Sequence, residues 1–68
     1  MYYEVSEITI DRIKKNIEEN NSKANIGEKY LAKNKQGDYV ALNCGLVIVS
    51  SGVFKKKDDA VRFLEENE

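Results

Sequence analysis

The stretch GDYVALNCGLVIVSSG, at residues 37–52, is the least polar part of this chain and constrains its fold most strongly. Strict alternation of apolar and polar residues indicates a sheet with one face in water. Residues 46–49, LVIV, are instead apolar at four successive positions, so both faces of a strand carry hydrophobic side chains there. The sequence therefore predicts a sheet that needs cover on both of its faces.

Three antiparallel strands are predicted within KYLAKNKQGDYVALNCGLVIVSSG. In the first turn, NKQG, Asn34 takes the first position of a type I turn and Gly37 the position that needs a positive φ. This loop predicts that Asn34 pairs with Asp38 and thereby sets the register. The expected pairs further along these strands are Ala32 with Val40 and Tyr30 with Leu42.

The second turn, NCG, is predicted to repeat this design with Gly45. It would place Leu42 opposite Leu46 and Val40 opposite Ile48. The first face of the sheet would then carry Tyr30, Ala32, Val40, Leu42, Leu46 and Ile48. The second face would carry Leu31, Lys33, Tyr39, Ala41, Val47 and Val49.

Two helices are predicted, one on each side of the strands in sequence. The first covers residues 9–20, with Thr9 as its N-cap, and the second covers residues 55–68. Asp58 and Asp59 fall in the first turn of the second helix, where the helix dipole favours acidic side chains. The apolar stripes consist of Ile10, Ile13 and Ile17 in the first helix and Ala60, Val61, Phe63 and Leu64 in the second.

The resulting order is (β)–α–β–β–β–α, which defines a single α+β domain over residues 1–68. The β in parentheses is a short strand that residues 2–5, YYEV, could add to the antiparallel sheet. Either the two helices cover one face each, or a second copy or another protein covers the second face. The sequence leaves these alternatives open.

The composition argues against most enzyme chemistry. The chain has no histidine, which removes the commonest general base and metal ligand, and Cys44 is its only cysteine. Adjacent carboxylates such as Glu18 and Glu19 diverge on a helix, and no phosphate-binding loop is present. We therefore predict no catalytic, cofactor-binding or metal-binding residues. Cys44 is expected to be structural, with a reactive or redox-sensing thiol as the alternative.

The chain starts with MYYEVSEITI, which lacks the basic start and apolar core of a signal peptide. Its apolar runs are much shorter than the roughly 20 residues that span a bilayer. We therefore expect a cytoplasmic protein that begins at its native Met1 and has no membrane partner.

Charge is distributed unevenly along the chain. Residues 29–57 have a net charge of +5, whereas residues 1–28 have −2 and residues 58–68 have −4, which gives the total of −1. A basic middle could attract an anionic partner, or the acidic C-terminal helix could lie beside the basic strands.

The stretch YVALNCGLVIVSSGVFKKKDDAVRFLEEN, residues 39–67, resembles a recurrent small β-β-α domain of unknown function. In that domain a strand ending in (W/Y)VAL turns through glycine into VVASG, and a helix closes the fold. The resemblance implies a fold and no known catalysis. The small size and the abundance of Lys, Asn, Ile and Glu also resemble accessory proteins of phages and prophages.

These observations predict a non-enzymatic protein-binding module, such as a phage or mobile-element accessory protein that self-associates, as a homodimer, or masks a partner's surface. An alternative is a nucleic-acid-binding accessory protein that uses residues 29–57, and an enzyme is the third. The predicted protein-binding residues are Leu31, Lys33, Tyr39, Ala41, Val47 and Val49. The predicted polyanion-binding residues are Lys33, Lys35, Lys55, Lys56 and Lys57.

Overall fold

A computed structural model describes residues 1–20, 27–45 and 48–66 of the chain. The elements are β1 (Tyr3–Glu4), α1 (Glu7–Asn20), β2 (Lys29–Lys33), β3 (Tyr39–Cys44), β4 (Val49–Phe54) and α2 (Lys57–Glu66). The four strands form one sheet in the order β1-β2-β3-β4. β1 runs parallel to β2, and the other neighbours are antiparallel. The predicted α+β class and element order are confirmed, and the optional N-terminal strand is present.

The N-terminus of α1 is capped by Ser6 rather than by Thr9. The Ser6 hydroxyl accepts a hydrogen bond from the backbone N–H of Thr9 at 3.2 Å, and its carbonyl accepts from Ile10 at 3.2 Å. Such a side chain satisfies an N–H group that lacks a partner within the helix. α1 therefore begins at Glu7, earlier than predicted, and ends at Asn20 as predicted.

The turn between β2 and β3 forms as predicted. The Asn34 side-chain oxygen accepts the backbone N–H groups of Gln36 at 3.0 Å and Asp38 at 2.9 Å. Gly37 has a φ of 85°, a conformation that side chains with a Cβ rarely adopt. These contacts fix the register, and the predicted pairs are confirmed: Ala32 with Val40 and Tyr30 with Leu42.

The predicted register between β3 and β4 is wrong. β3 continues to Cys44, which pairs with Val49, so the strand does not turn at NCG. Leu42 therefore lies opposite Ser51, and Val40 lies opposite Val53. The last strand is consequently VSSGVF rather than the more apolar LVIVSS.

Gly45 is required for a close approach and not for a positive φ. Its N–H donates to the carbonyl oxygen of Ile48 at 3.1 Å. A Cβ on Gly45 would lie 2.7 Å from the same oxygen, which is too close for any other residue. The second turn therefore does not repeat the first. Residues 46–47, for which a strand was predicted, lie outside the described residues.

The two helices cover opposite faces of the sheet, which decides between the alternatives left open by the sequence. The α1 face has a core of Ile10, Tyr30, Ala32, Val40, Leu42 and Cys44, with Val5, Ile13 and Ile17 packed against it. The α2 face has a core of Leu31, Ala41, Ala60 and Leu64, with Tyr2, Tyr39, Phe54, Val61 and Phe63 packed against it. Within the described residues, no helix has the length and apolar character that crossing a membrane requires.

Candidate functional site

The docking surface predicted on the second face is covered by α2. Leu31 and Ala41 are only 2% and 0% exposed, because Ala60 and Leu64 of α2 pack against them. The expectation that these two residues contact a partner is therefore wrong. The amphipathic α2 buries its own apolar stripe on this face, which leaves no vacancy over the centre of the sheet.

The other predicted docking residues do not form one surface. Tyr39 is half-buried against the α2-face core, and the Lys33 ammonium lies 5.9 Å from the centre of the Tyr39 ring. Val49 is exposed, but its pairing with Cys44 places it on the α1 face, opposite to the predicted one. Val47 lies outside the described residues. Lys33 and Tyr39 are thus separated by the sheet from Val49.

An apolar surface is nevertheless open along β4, on the α1 face. α1 packs against β2, and the side chains that β4 directs to the same face stay in solvent. Val49 is 43% exposed and Val53 is 62% exposed. We call these two residues the β4 strip. Exposed aliphatic side chains in a row are a feature of interaction sites.

A groove separates the β4 strip from α1. It measures about 270 Å³ and is open to solvent. Ile17 and Leu42 supply its apolar wall and floor, whereas Lys14 and Glu18 supply charged groups on the α1 side. Val49 and Ser51 close it on the β4 side. The strip therefore borders a concave surface with a charged margin.

The backbone of β3 shows which residues of β4 have free hydrogen-bonding groups. The N–H of Cys44 donates to Glu28 at 3.0 Å, and its carbonyl accepts from Gly27 at 2.7 Å. At the other end, the Asp38 carbonyl accepts from Asn34 at 2.9 Å. Cys44 and Asp38 therefore direct their backbone groups toward β2. Because this direction alternates along a strand, every second residue between them bonds with β4 instead.

The residues of β3 that bond with β4 are Tyr39, Ala41 and Asn43, and their partners are Phe54, Gly52 and Ser50. The intervening residues of β4 direct their N–H and C=O groups away from β3. β4 is the last strand in the sheet order of the described residues, so these groups have no strand beside them. They belong to Val49, Ser51 and Val53.

The β4 edge also lacks the features that usually prevent association. Exposed edge strands commonly carry a lysine, a proline or a bulge, because an open edge can template the pairing of another strand. The sequence of β4, VSSGVF, contains no charged residue and no proline. Its pairing with β3 runs without interruption from Val49 to Phe54. Backbone groups and apolar side chains are therefore presented together.

The five lysines of the predicted polyanion site lie at one end of the sheet. Lys33 ends β2, Lys35 is in the following turn, and residues 55–57 follow β4, whose last residue pairs with the first of β3. Carboxylates accompany them. The Lys57 ammonium lies 2.6 Å from Glu4, and the Lys55 ammonium lies 3.9 Å from Asp38. The hydrogen bond to Glu4, and then the charge of that carboxylate, raise the pKa of Lys57.

Cys44 lies in the α1-face core and is 2% exposed. Burial, with a smaller contribution from the Glu28 carboxylate, raises the pKa of its thiol. A raised pKa keeps the sulfur protonated and unreactive at neutral pH, which favours the structural interpretation. Across residues 1–20, 27–45 and 48–66, no group of three His, Cys, Asp or Glu side chains could hold a metal ion.

Val53 and Ser51 are not among the site residues that the sequence predicts. The apolar run LVIV favours residues 46–49 as the centre of the last strand, and this assignment misses both residues. The period-two pattern of VSSGVF, in which Val49, Ser51 and Val53 share one side, was the available signal.

The fold and this surface define a small α+β module whose sheet has an open edge at β4. The chain belongs to the family described as the UPF0242 C-terminal PAS-like domain, whose family model matches residues 4–62. Comparison with curated proteins and with solved structures finds no match. PAS-like domains commonly mediate protein–protein interaction, so membership indicates a small interaction or sensing module. The family match confirms the predicted resemblance to a small domain of unknown function, whereas the β-β-α description and the link to phages remain predictions.

Proposed function

We propose that this domain is a protein-binding module whose contact surface is the β4 strip and the adjacent edge of the sheet. One observation carries the proposal: in the part of the chain that the structure describes, exposed apolar side chains and backbone groups without a neighbouring strand coincide on β4. The backbone groups would supply affinity by adding a strand, and the side chains would supply additional burial and selectivity. Family membership supports a role in protein–protein interaction.

The surface differs from the one predicted from the sequence, but the class of function is the same. Self-association and the masking of a partner protein both remain compatible with an open edge strand. The origin in a phage or mobile element and the cytoplasmic location remain predictions, as does the absence of catalysis.

A matched pair of variants tests this function. Val53 is 62% exposed on β4, and Ile8 is 64% exposed on α1, so Val53→Asp and Ile8→Asp introduce the same charge at equally exposed aliphatic sites. Proteins retained from a lysate, together with a differently tagged copy of this chain, are compared between the two variants and the wild type. We expect Val53→Asp to lose partners that Ile8→Asp retains. If no partner distinguishes the two variants, the proposal is wrong.

Nucleic-acid binding is a second candidate, supported by the gathering of five lysines at one end of the sheet. Phosphate contacts by lysine give an affinity that falls steeply with salt. The carboxylates of Glu4, Asp38, Asp58 and Asp59 lie at the same end or follow it directly and would repel phosphate. This competition makes the second candidate weaker than the first.

Substitution of two lysines tests this candidate. Among the described residues no ion pair involves Lys35 or Lys56, so a double change to alanine removes charge without breaking one. Changing Arg12 and Lys14 of α1 to alanine removes the same charge, also without breaking an ion pair among the described residues, and is the control. Binding of DNA or RNA at low salt that weakens only with the first pair would support a nucleic-acid interface. Absence of binding at low salt would exclude it.

A further inference from the structure

We propose that the partner at the β4 edge is a second copy of this chain, paired antiparallel through β4 about a two-fold axis at Ser51. The two four-stranded sheets would then join into one continuous sheet. This inference rests on the proposed function, because it names the partner of the same site.

The backbone of β4 supports this register. In an antiparallel pair centred on Ser51, Ser51 lies opposite Ser51 of the second copy, and Val49 lies opposite Val53 of the second copy. These three residues are the ones whose N–H and C=O groups point away from β3. Each would exchange both groups with its counterpart, so the register leaves none of the free groups of β4 without a partner.

The side chains of β4 are self-complementary in the same register. Along the α1 face the strand reads Val49, Ser51, Val53, which is the same sequence in either direction. A two-fold interface requires a surface of this kind, because each patch must fit a copy of itself. The axis brings each valine opposite a valine and the two serines opposite each other. Branched cross-strand pairs of this type stabilise a sheet.

Charges at the two ends of β4 also favour a copy over an unrelated partner. Glu18 lines the groove near Val49, where β4 begins, and Lys55 follows Phe54, where β4 ends. Antiparallel pairing brings Lys55 of one copy to the end of the strand where Glu18 of the other copy lies. The Lys55 side chain is 92% exposed and lies 3.9 Å from Asp38, so it can reorient. Lys14 lines the same groove, one helical turn before Glu18, so the groove carries one charge of each sign.

The interface would be modest in size. A single pair of six-residue strands buries less than the roughly 800 Å² per partner of standard stable complexes. We therefore expect a reversible dimer whose population rises with protein concentration.

Adjacent serines provide a matched cross-linking test. In the proposed register, Ser51 of each copy would have Cα atoms about 5.5 Å apart, which suits a disulfide. Ser50 lies on the other face of β4 and pairs with Gly52 of the second copy, so two Ser50 positions are offset from each other. Ser51→Cys and Ser50→Cys are oxidised under identical conditions, with buried Cys44 common to both. The solution mass of the wild type is measured by light scattering over a range of concentrations.

We expect Ser51→Cys to form covalent dimers at least about tenfold faster than Ser50→Cys, and the wild-type mass to rise toward that of a dimer. Equal rates, or faster reaction of Ser50→Cys, would overturn the register and the proposal. So would a wild-type mass that stays monomeric up to millimolar concentration. If the chain is monomeric while Val53→Asp still abolishes binding of another protein, only self-pairing is wrong. If Val53→Asp also leaves the binding of every other protein unchanged, the proposed function is wrong as well.

Discussion

The two edges of the sheet are built differently. β1 has two residues, and its Glu4 carboxylate is ion-paired with Lys57 at 2.6 Å. β4 has six residues, no charge and a row of exposed valines. A short edge strand with a charged residue disfavours the addition of another strand, whereas a long uncharged edge strand permits it. Because a two-fold contact uses the β4 edge of both copies, association through β4 alone would end at two copies instead of continuing into a fibre.

The two sides of β4 show a similar contrast. Phe54 lies on the α2 face, where its ring centre is 5.4 Å from that of Phe63. A Cβ on Gly52 would lie 2.9 Å from the Phe54 ring, so glycine makes room for this contact. Val53, one residue earlier, is exposed on the α1 face. One strand thus contributes to the core with alternate residues and to the candidate interface with the others.

The largest expected effect is on the free energy of unfolding, and it distinguishes the two sides of β4. Phe54→Ala should lower the free energy of unfolding by about 2 kcal/mol, because it removes a half-buried ring from the α2-face core. Val53→Ala should change it by no more than about 0.5 kcal/mol in the monomer, since the side chain is exposed. Urea unfolding at low protein concentration measures both. Equal losses would mean that the two sides of β4 do not differ as described.

A smaller effect, on the dissociation constant of the dimer, distinguishes the two edges of the sheet. Val53→Lys should weaken the dimer by about tenfold, or about 1.4 kcal/mol, because it places a charge beside the free backbone groups. Tyr3→Lys adds the same charge to the β1 edge and should leave the dimer unchanged. Sedimentation equilibrium gives both dissociation constants. Similar weakening by Tyr3→Lys would show that the β4 edge is not the contact.

The smallest effect concerns the charge that protects the β1 edge. Glu4→Gln should return the pKa of Lys57 toward its ordinary value of 10.5, because the hydrogen bond to the Glu4 carboxylate is what raises it. Since the folded-state pKa is the higher one, the stabilisation is complete below the unfolded value and is lost as pH rises through the folded value. NMR titration of the Lys57 side chain measures the change. An unaltered pKa in Glu4→Gln would contradict this contact.

The hairpin of β2 and β3 could be predicted because its determinants are local. Asn34 supplies two side-chain acceptor contacts within four residues, and Gly37 supplies the positive φ. These features fix the register without any tertiary contact. The apolar stripe of α1 was equally readable, since Ile10, Ile13 and Ile17 recur at helical spacing.

The register of β4 and the location of the candidate site could not be predicted from local sequence features. NCG resembles a turn, but Cys44 stays in β3 because its backbone bonds with Gly27 and Glu28, which precede β2. This is a tertiary contact that local propensity does not reveal. Its consequence is large, because shifting the start of the last strand changes which residues face α1. The parallel pairing of β1 likewise depends on α1 returning the chain across the sheet.

Amide hydrogen exchange along β4 tests the central claim most directly. In dilute solution the N–H groups of Ser50, Gly52 and Phe54, which bond with β3, should exchange slowly, and those of Val49, Ser51 and Val53 should exchange fast. At high concentration the second set should become protected, while the first set stays as it was. Protection of Val49, Ser51 and Val53 already in the dilute monomer, or fast exchange of these three at every concentration, would contradict an open β4 edge that pairs with its own copy.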